Sequence, residues 1–355
     1  MVDILRFSAA AGDERDRFLE RFTAAPSAAP AGIQPSPHYV RAVLSIALRR
    51  PAELLLAVDG DRAVGRALVA TSLARPATAG MGLLLVDSAD VMPIGDALIG
   101  AATDWARANS CVELFAPLDV NTWFSYRFLV PPEGPGAEVA PFDWEPSQPE
   151  GYLELFERQC FDVAERYHTL GGWFSEDGEE LKAVIRHTAR AHDAARATGI
   201  EFEQLADTAR LDALLGEIHP LCMEAFRDAP LFEPLPEEMF RALYAASAGA
   251  RDCSLTHVAR DASGALAGFV FAFTDRDAVI VKTIAVSAGL RGQHLSSALV
   301  HLVFARAAER GYRHFVSALV RRGNTSDFLA HPSLAHGARV WRHDYVLLRR
   351  HLAVG

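Results

Sequence analysis

AVSAGLRGQHLSSALVHLVFARAAERGYRHFV, residues 285–316, is the stretch of sequence that decides the fold. The stretch predicts a buried strand, a tight basic turn, a long amphipathic helix and a second strand, in that order. The turn at residues 291–296 opens the helix, so free backbone N–H groups and the positive end of the helix dipole face one point. Such a point binds anions, and a pyrophosphate suits it. The stretch therefore predicts a site for a phosphorylated cofactor.

The composition is that of a globular chain of 355 residues, 50% of them hydrophobic, with a net charge of −10. This length and hydrophobic content favour two domains. The acidity, with no block rich in lysine and arginine, disfavours a nucleic-acid partner. No apolar run is long enough to predict a membrane span, and the first residues lack the pattern of a signal peptide. We therefore expect a cytoplasmic protein without a membrane partner.

The cysteines give no sign of a metal centre. Cys111, Cys160, Cys222 and Cys253 lie far apart, and none belongs to a Cys-x-x-Cys or Cys/His pattern. Zinc sites and disulfide frameworks both need closer and more regular spacing. We expect buried thiols and no metal.

The chain contains an internal repeat with four landmarks in the same order. Two strands with a turn between them occur in LLLAVDGDRAVGRALVATS and again in LTHVARDASGALAGFVFAFT. Gly65 then corresponds to Gly268 in the repeat. In the helix that follows, Leu98 corresponds to Leu299. The next strand ends at an Asn-Thr pair in both halves, residues 121–122 and 324–325. A repeat of this length indicates two copies of one domain.

Each copy is predicted as β-α-α-β-β-β-α-β-α-β, an α/β fold with a twisted mixed sheet flanked by helices. The expected domains are residues 1–172 and 199–355, and a polar helix in residues 173–198 connects them. Residues 129–149 are dense in proline and glycine, so we expect a loop or arm that interrupts the first half.

The repeated pattern resembles the GNAT superfamily of CoA-dependent N-acyltransferases, once in each half. The family's loop has the form Arg/Gln-x-x-Gly-x-Gly/Ala, and its amides hold the CoA pyrophosphate. Arg291 and Gly292 fit this pattern, whereas His294 and Ser296 stand where two glycines are usual. Glycine lets a phosphate approach the backbone without a Cβ atom in the way. His294 therefore predicts either an imidazole that turns toward the phosphate or weakened, altered cofactor binding.

The resemblance also implies where the rest of the acyl donor binds. The family's fourth strand splays from its fifth, which leaves a slot for the pantetheine arm, and an asparagine at the end of the fifth strand contacts the cofactor or the acceptor. The implied donor is acetyl-CoA or another acyl-CoA, with no metal. The implied cofactor-binding residues are Thr283, Ile284, Ala285, Val286, Arg291, Gly292, Gln293, His294, Leu295, Ser296, Ser297 and Asn324.

Acyl transfer to an amine also needs groups that move protons. Residues 215–236 would line the acceptor site of this family, and Phe226, Phe232 and Phe240 within or beside them would shape an apolar pocket. His331 stands at the position of the family's tyrosine, which protonates the leaving thiolate, and Tyr345 is an alternative donor. The implied catalytic residues are Glu217, His219, His331 and Tyr345.

The first half departs further from the family. Phe156 stands at the tyrosine position and has no proton to donate, and Pro93 supplies no N–H to the turn. Asp90 would also repel a pyrophosphate. We interpret the first half as a degenerate copy with a structural or acceptor-binding role.

The sequence thus favours an acyltransferase that moves an acyl group, expected to be acetyl, from CoA to the amine of a small molecule by direct attack in the second half. Transfer from an acylated carrier protein or an aminoacyl-tRNA is one alternative, since Arg291, Arg321 and Arg322 could meet an acidic partner. A non-catalytic tandem protein that binds a metabolite between its halves is the other.

Overall fold

The computed structural model describes residues 2–24, 26, 35–87, 91–176, 178–248, 252–323 and 339–353. Its helices and strands follow the predicted repeat, apart from a short additional strand in the first half, and the predicted last helix of the second half falls in residues 324–338, outside the described residues. In the first half they are β1 Asp3–Arg6, α1 Asp13–Thr23, α2 Pro37–Ala47, β2 Ala52–Asp59, β3 Arg62–Thr71, β4 Thr78–Val86, α3 Val91–Ala108, β5 Glu113–Ala116, β6 Phe128–Leu129, α4 Tyr152–Arg158 and β7 Asp162–Trp173. After helix α5 Glu179–Ala197, the second half has β8 Glu201–Gln204, α6 Thr208–Ala225, α7 Glu237–Ala248, β9 His257–Arg260, β10 Leu266–Asp275, β11 Ala278–Val286, α8 Leu295–Glu309, β12 His314–Arg321 and β13 Arg339–His351.

The described strands form one mixed sheet that runs through both halves. Its order is β1-β2-β3-β4-β5-β13-β7-β12-β11-β10-β9-β8, with β6 paired beside β13. The pairs β4–β5 and β11–β12 are parallel, and the other pairs of this order are antiparallel. The predicted α/β fold with a mixed sheet flanked by helices is therefore confirmed.

The two halves exchange their last strands at the centre of this sheet. Strand β7, from the first half, pairs with β12, where Leu170 is opposite Ser317. Strand β13, from the end of the chain, pairs with β5 of the first half, where Leu348 is opposite Ala116. The two exchanged strands also pair with each other along most of their length. Each half is thus completed by a strand of the other.

Three of the four clusters of buried apolar side chains in the described part of the chain cover the two faces of the sheet. On one face, α3 and α4 pack on the first half, and α5 and α8 pack on the second. On the other face, a single cluster includes residues of α1, α2, α6 and α7 together with Phe142 from the predicted arm. Since this cluster joins residues of both halves, the halves share a core on the face where a ligand could reach both.

Candidate functional site

The central feature of the second half is a slot between strands β11 and β12. Their parallel pairing ends where Val281 is opposite Ser317, although β11 continues to Val286 and β12 to Arg321. Beyond that point β12 is paired on its other side, with β7. Backbone groups of residues 282–286 therefore face an open gap, which we call the β11–β12 slot.

The predicted anion-binding turn lies at one end of this slot. Gly292 and His294 both have positive φ, 79° and 61°, and His294 is the residue before the first turn of α8. His294 thus takes the left-handed conformation that a glycine adopts without strain, which gives a physical reason for glycine at this position. Its side chain does not cap the helix, so the first amides of α8 have no side-chain partner there.

The side chain of Arg291 is engaged within the protein. Its Nη2 donates to the carbonyl oxygens of Glu224 and Ala225 at 3.2 and 3.1 Å, and its Nη1 lies 3.6 Å from the Asp228 carboxylate. These are the last carbonyls of α6, which a cation stabilises through the helix dipole. Arg291 thus connects the turn to the end of α6.

The equivalent slot in the first half is closed by its own side chains. Pairing of β4 with β5 ends at Gly80, and the next backbone N–H groups of β4 find local acceptors. Leu83 N donates to Asp119 Oδ1 at 2.6 Å, and Val86 N donates to the Tyr152 hydroxyl at 2.7 Å. A Cβ atom on Gly82 would lie 2.3 Å from Asp119 Oδ1, so no side chain fits there. The first half therefore offers less free backbone to a ligand than the second.

A cavity of about 1560 Å³ lies between the halves, and the β11–β12 slot opens into it. Residues 290–296 line one side of the cavity, with the exception of Gln293. The aromatic residues Trp123, Phe226 and Phe232 line another, with ring centroids of Trp123 and its two neighbours 5.9 and 6.1 Å apart. We call this space the central cavity. Phe240, which the sequence analysis also assigned to the acceptor pocket, lies behind Trp123 in the core.

Most of the residues predicted to bind the cofactor line the central cavity, and the others lie away from it. Those that line the cavity are Thr283, Ile284, Val286, Arg291, Gly292, His294, Leu295 and Ser296. Ala285 is buried in the shared core, Gln293 Nε2 donates to the Gly289 carbonyl at 3.1 Å, and Ser297 lies within α8 away from the cavity lining. Asn324 lies outside the described residues.

The predicted acid–base residues lie elsewhere. Glu217 is on α6, where its carboxylate accepts two hydrogen bonds from Arg260, at 2.7 and 3.1 Å. His219 Nε2 donates to the Leu235 carbonyl at 2.7 Å. Tyr345 is fully buried in β13. None of these three described residues is part of the cavity wall, and His331 lies outside the described residues.

Charged residues that no motif indicated line the central cavity, and three of them are Lys282, Arg127 and Glu145. Lys282 is half-buried at the start of the slot, Arg127 is buried, and Glu145 comes from the arm. Burial, with the charge of Arg127 second, lowers the pKa of Lys282 to about 8, and burial lowers the pKa of Arg127 to about 10. The sequence signal for Lys282 is a single charge inside the apolar run AVIVKTIAV. Arg127 and Glu145 lie in irregular segments, where no periodicity marks them.

Glu145 holds the arm against β13. Its Oε1 accepts hydrogen bonds from the Tyr345 hydroxyl and from His343 Nδ1, the latter at 3.1 Å. The second ring nitrogen of His343 donates to the Gly136 carbonyl at 3.0 Å. Burial lowers the pKa of His343. The hydrogen bond to Glu145 and the charge of Glu145 raise the pKa by more, so the net shift is upward. Both ring nitrogens of His343 thus face acceptor oxygens, an arrangement that favours the protonated ring.

A second carboxylate, Asp119, lies on the first-half side of the cavity. Its Oδ2 accepts from the Tyr39 hydroxyl at 2.9 Å, in addition to the bond from Leu83 N. Burial raises the pKa of Asp119 to about 6, although these hydrogen bonds act in the opposite direction. Among the described residues, no group of three or more histidine, cysteine, aspartate or glutamate side chains could hold a metal ion. None of the described helices has the length and apolar character that spanning a membrane requires.

Comparisons with known proteins agree with this geometry. Residues 181–319 match the acetyltransferase (GNAT) domain family. A tandem GNAT protein from the clavulanic acid biosynthesis pathway has a TM-score of 0.51 and 16% identity, over 99% of both chains. A conserved protein from Enterococcus faecalis V583 has a TM-score of 0.55 and 10% identity, over 100% of this chain and 73% of that one. A GCN5-related N-acetyltransferase from Kribbella flavida has a TM-score of 0.52 and 13% identity, over 99% of this chain and 72% of that one.

A search of curated proteins found no match. At these identities the solved structures establish the fold alone. The sequence-based recognition of a tandem repeat of this fold is confirmed. Residues 181–319 match the acetyltransferase (GNAT) domain family, and the chain as a whole has the fold of a tandem GNAT protein.

Proposed function

We propose that this protein is an N-acyltransferase that binds an acyl-CoA in its second half and acylates the amine of a small molecule in the central cavity. The observation that carries the proposal is the β11–β12 slot, which leads from the turn at α8 into the cavity. GNAT domains typically use acyl-CoA donors. The first-half slot, where Asp119 and Tyr152 occupy the backbone N–H groups, supports a degenerate first copy.

The residues of the second half fit such a donor. The uncapped first turn of α8 would hold the pyrophosphate through backbone N–H groups and the helix dipole. The open backbone of residues 282–286 would pair with the amides of the pantetheine arm, as an added strand pairs with a sheet edge. The thioester would then lie where the slot meets the cavity, with its carbonyl carbon accessible to an amine.

The reaction proposed is a direct transfer. The neutral amine attacks the thioester carbonyl, a C–N bond forms, and the C–S bond breaks to release the CoA thiolate. One proton must leave the amine, and carboxylates on the cavity wall, Asp119 and Glu145 among them, would accept it, directly or through water. The thiolate takes a proton from water or from a side chain. A donor role for His331 stays a prediction.

Calorimetry with acetyl-CoA tests the donor site. Ser296→Glu places a carboxylate in the first turn of α8, where a negative charge suits the helix dipole but repels a phosphate. We expect the wild-type protein to bind acetyl-CoA and Ser296→Glu to bind at least tenfold more weakly. Thr208→Glu adds the same charge to the first turn of α6, away from the cavity, and serves as the control.

The proposal also requires turnover, measured as thiol release from acetyl-CoA with a panel of amines. No binding of acetyl-CoA to the wild-type protein at millimolar concentration would contradict the donor site. Equal binding to wild type and Ser296→Glu would contradict its location at α8.

A non-catalytic role is a second candidate, because none of the three described residues predicted to move protons lines the central cavity. In that case the protein would bind acyl-CoA or a metabolite without transfer. Acetyl-CoA binding without thiol release for every amine of the panel would favour this second candidate over the first.

A further inference from the structure

Lys282 is displaced from the regular ladder of β11 toward the central cavity. Phe271 is paired with Thr283 and Ala272 with Val281, so Lys282 is the extra residue of a β-bulge. Bulges re-aim side chains and are common beside binding sites. The next residue, Thr283, hydrogen bonds with Tyr244 of α7, which places this segment on the sheet face away from α8. Within the described residues, Lys282 makes no hydrogen bond and no ion pair within 4 Å, and Glu145 is the carboxylate whose charge acts on it.

Arg127, from the first half, lines the same cavity, and its charge acts on Lys282. Its guanidinium carbon lies 3.9 Å from the ring centroid of Tyr126 and 4.1 Å from that of Tyr167, so the two aromatic rings fix its plane. Nη1 donates to the Leu319 carbonyl at 3.1 Å, on the opposite side of the slot from Lys282. Nε is buried and has no partner in the described part of the chain. Arg127 is thus held rigidly, and its Nε–H remains able to donate a hydrogen bond to a ligand.

The acidic side chains nearby are already paired. Glu145 accepts from His343, from Tyr345 and from the backbone N–H of Phe142. Asp119 is held by Tyr39 and Leu83, and Asp228 lies beside Arg291. Two cations therefore face the same cavity, and Glu145, the carboxylate whose charge acts on Lys282, is already engaged by His343, Tyr345 and the Phe142 N–H. Like charges held close together in a partly buried site destabilise each other. An anionic ligand group would remove that repulsion.

We infer that the acceptor carries a carboxylate that binds between Arg127 and Lys282, so that the substrates are amines of the amino acid class. The inference rests on the proposed function, since it names the acceptor of the same cavity. A carboxylate held at the end of the slot brings the amine on the adjacent carbon close to the thioester. Trp123, Phe226 and Phe232 on the cavity wall provide room for an apolar side chain.

Binding of an amine-free probe tests the carboxylate site independently of acyl transfer. The probes are 3-phenylpropionate and its uncharged amide, 3-phenylpropanamide, titrated into the full-length protein by calorimetry. We expect the carboxylate to bind the wild-type protein at least tenfold more tightly than the amide. Lys282→Met keeps the length of the side chain and breaks no hydrogen bond, and we expect it to abolish this preference, since charge-assisted bonds account for it.

Two further variants separate a site from a general charge effect. Lys282→Arg restores the charge and should restore the preference for the carboxylate. Arg306→Met removes an exposed positive charge from α8, outside the cavity, and should leave the preference unchanged. Equal binding of both probes to wild type, or an unchanged preference in Lys282→Met, would overturn the inference.

Thiol release from acetyl-CoA with L-amino acids and with the matching amino acid amides separates this inference from the proposed function. Release that is equally fast with both sets would support the acyltransferase and overturn the carboxylate site. A carboxylate preference that depends on Lys282, without thiol release from any amine, would support the carboxylate site and contradict the acyltransferase.

Discussion

His294 shows at the scale of one residue how the turn at α8 differs from a glycine-containing loop. Its φ of 61° is a left-handed conformation, which strains a residue with a Cβ atom by about 1–2 kcal/mol. Glycine adopts this conformation without strain, although glycine loses more conformational entropy on folding. We therefore expect His294→Gly to raise the free energy of unfolding by about 0.5–1 kcal/mol, measured by urea denaturation.

A matched substitution in the same turn should have the opposite sign. Gln293 is not among the residues with positive φ, so Gln293→Gly gains no relief of strain and should lower the free energy of unfolding by about 0.5–1 kcal/mol. Destabilisation by His294→Gly would mean that the imidazole makes contacts worth more than the strain it carries.

At the scale of the element, the arm of residues 129–149 depends on the buried pair of Glu145 and His343. We expect Glu145→Ala to lower the free energy of unfolding by about 3–5 kcal/mol, because the His343 ring and the Tyr345 hydroxyl would stay buried without their shared acceptor. Glu138→Ala is the control, since the pair of Glu138 with Arg339 is exposed on both sides, and its loss should cost less than about 1 kcal/mol. Urea denaturation of the three proteins at pH 6 provides the measurement.

The same pair should respond to pH. The pKa of His343 is raised in the folded protein, so the folded state holds this proton more tightly than the unfolded chain does. The stabilisation is complete below the unfolded pKa of about 6.5 and is lost as the pH rises through the higher folded value. The difference between wild type and Glu145→Ala should therefore shrink in alkaline solution. A difference that grows above pH 7 would contradict this assignment of the proton.

The elements divide into those that local sequence predicts and those that only tertiary contacts define. The turn at residues 291–296 and helix α8 are local, because periodicity and the turn residues specify them. The arm was predicted only as an irregular segment, since nothing in residues 129–149 indicates that Glu145 meets His343. The cavity residues Arg127 and Lys282 come from different halves, and no local pattern links residues so distant in sequence.

At the scale of the whole molecule, the exchange of β7 and β13 makes the two halves one folding unit. The repeat in the sequence predicts two copies of a sheet, but it does not predict which strand completes which copy, since both last strands follow their own half in the chain. Strand β7 pairs with β12 and β13, so unfolding of either half removes a neighbour from the central strands. We therefore expect a single cooperative unfolding transition.

Gly171 allows that expectation to be tested at the seam between the exchanged strands. A Cβ atom there would lie 2.1 Å from Cε2 of Trp341, which is buried, so Gly171→Ala must displace the indole and should cost about 3 kcal/mol. In a single folding unit, hydrogen exchange should show equal loss of protection in β2 and in β10, on opposite sides of the seam. Gly100→Ala is the control, because its Cβ meets open space in the interior of α3 and should stabilise the protein by about 0.5–1 kcal/mol. Loss of protection confined to one half would show that the halves unfold separately despite the exchanged strands.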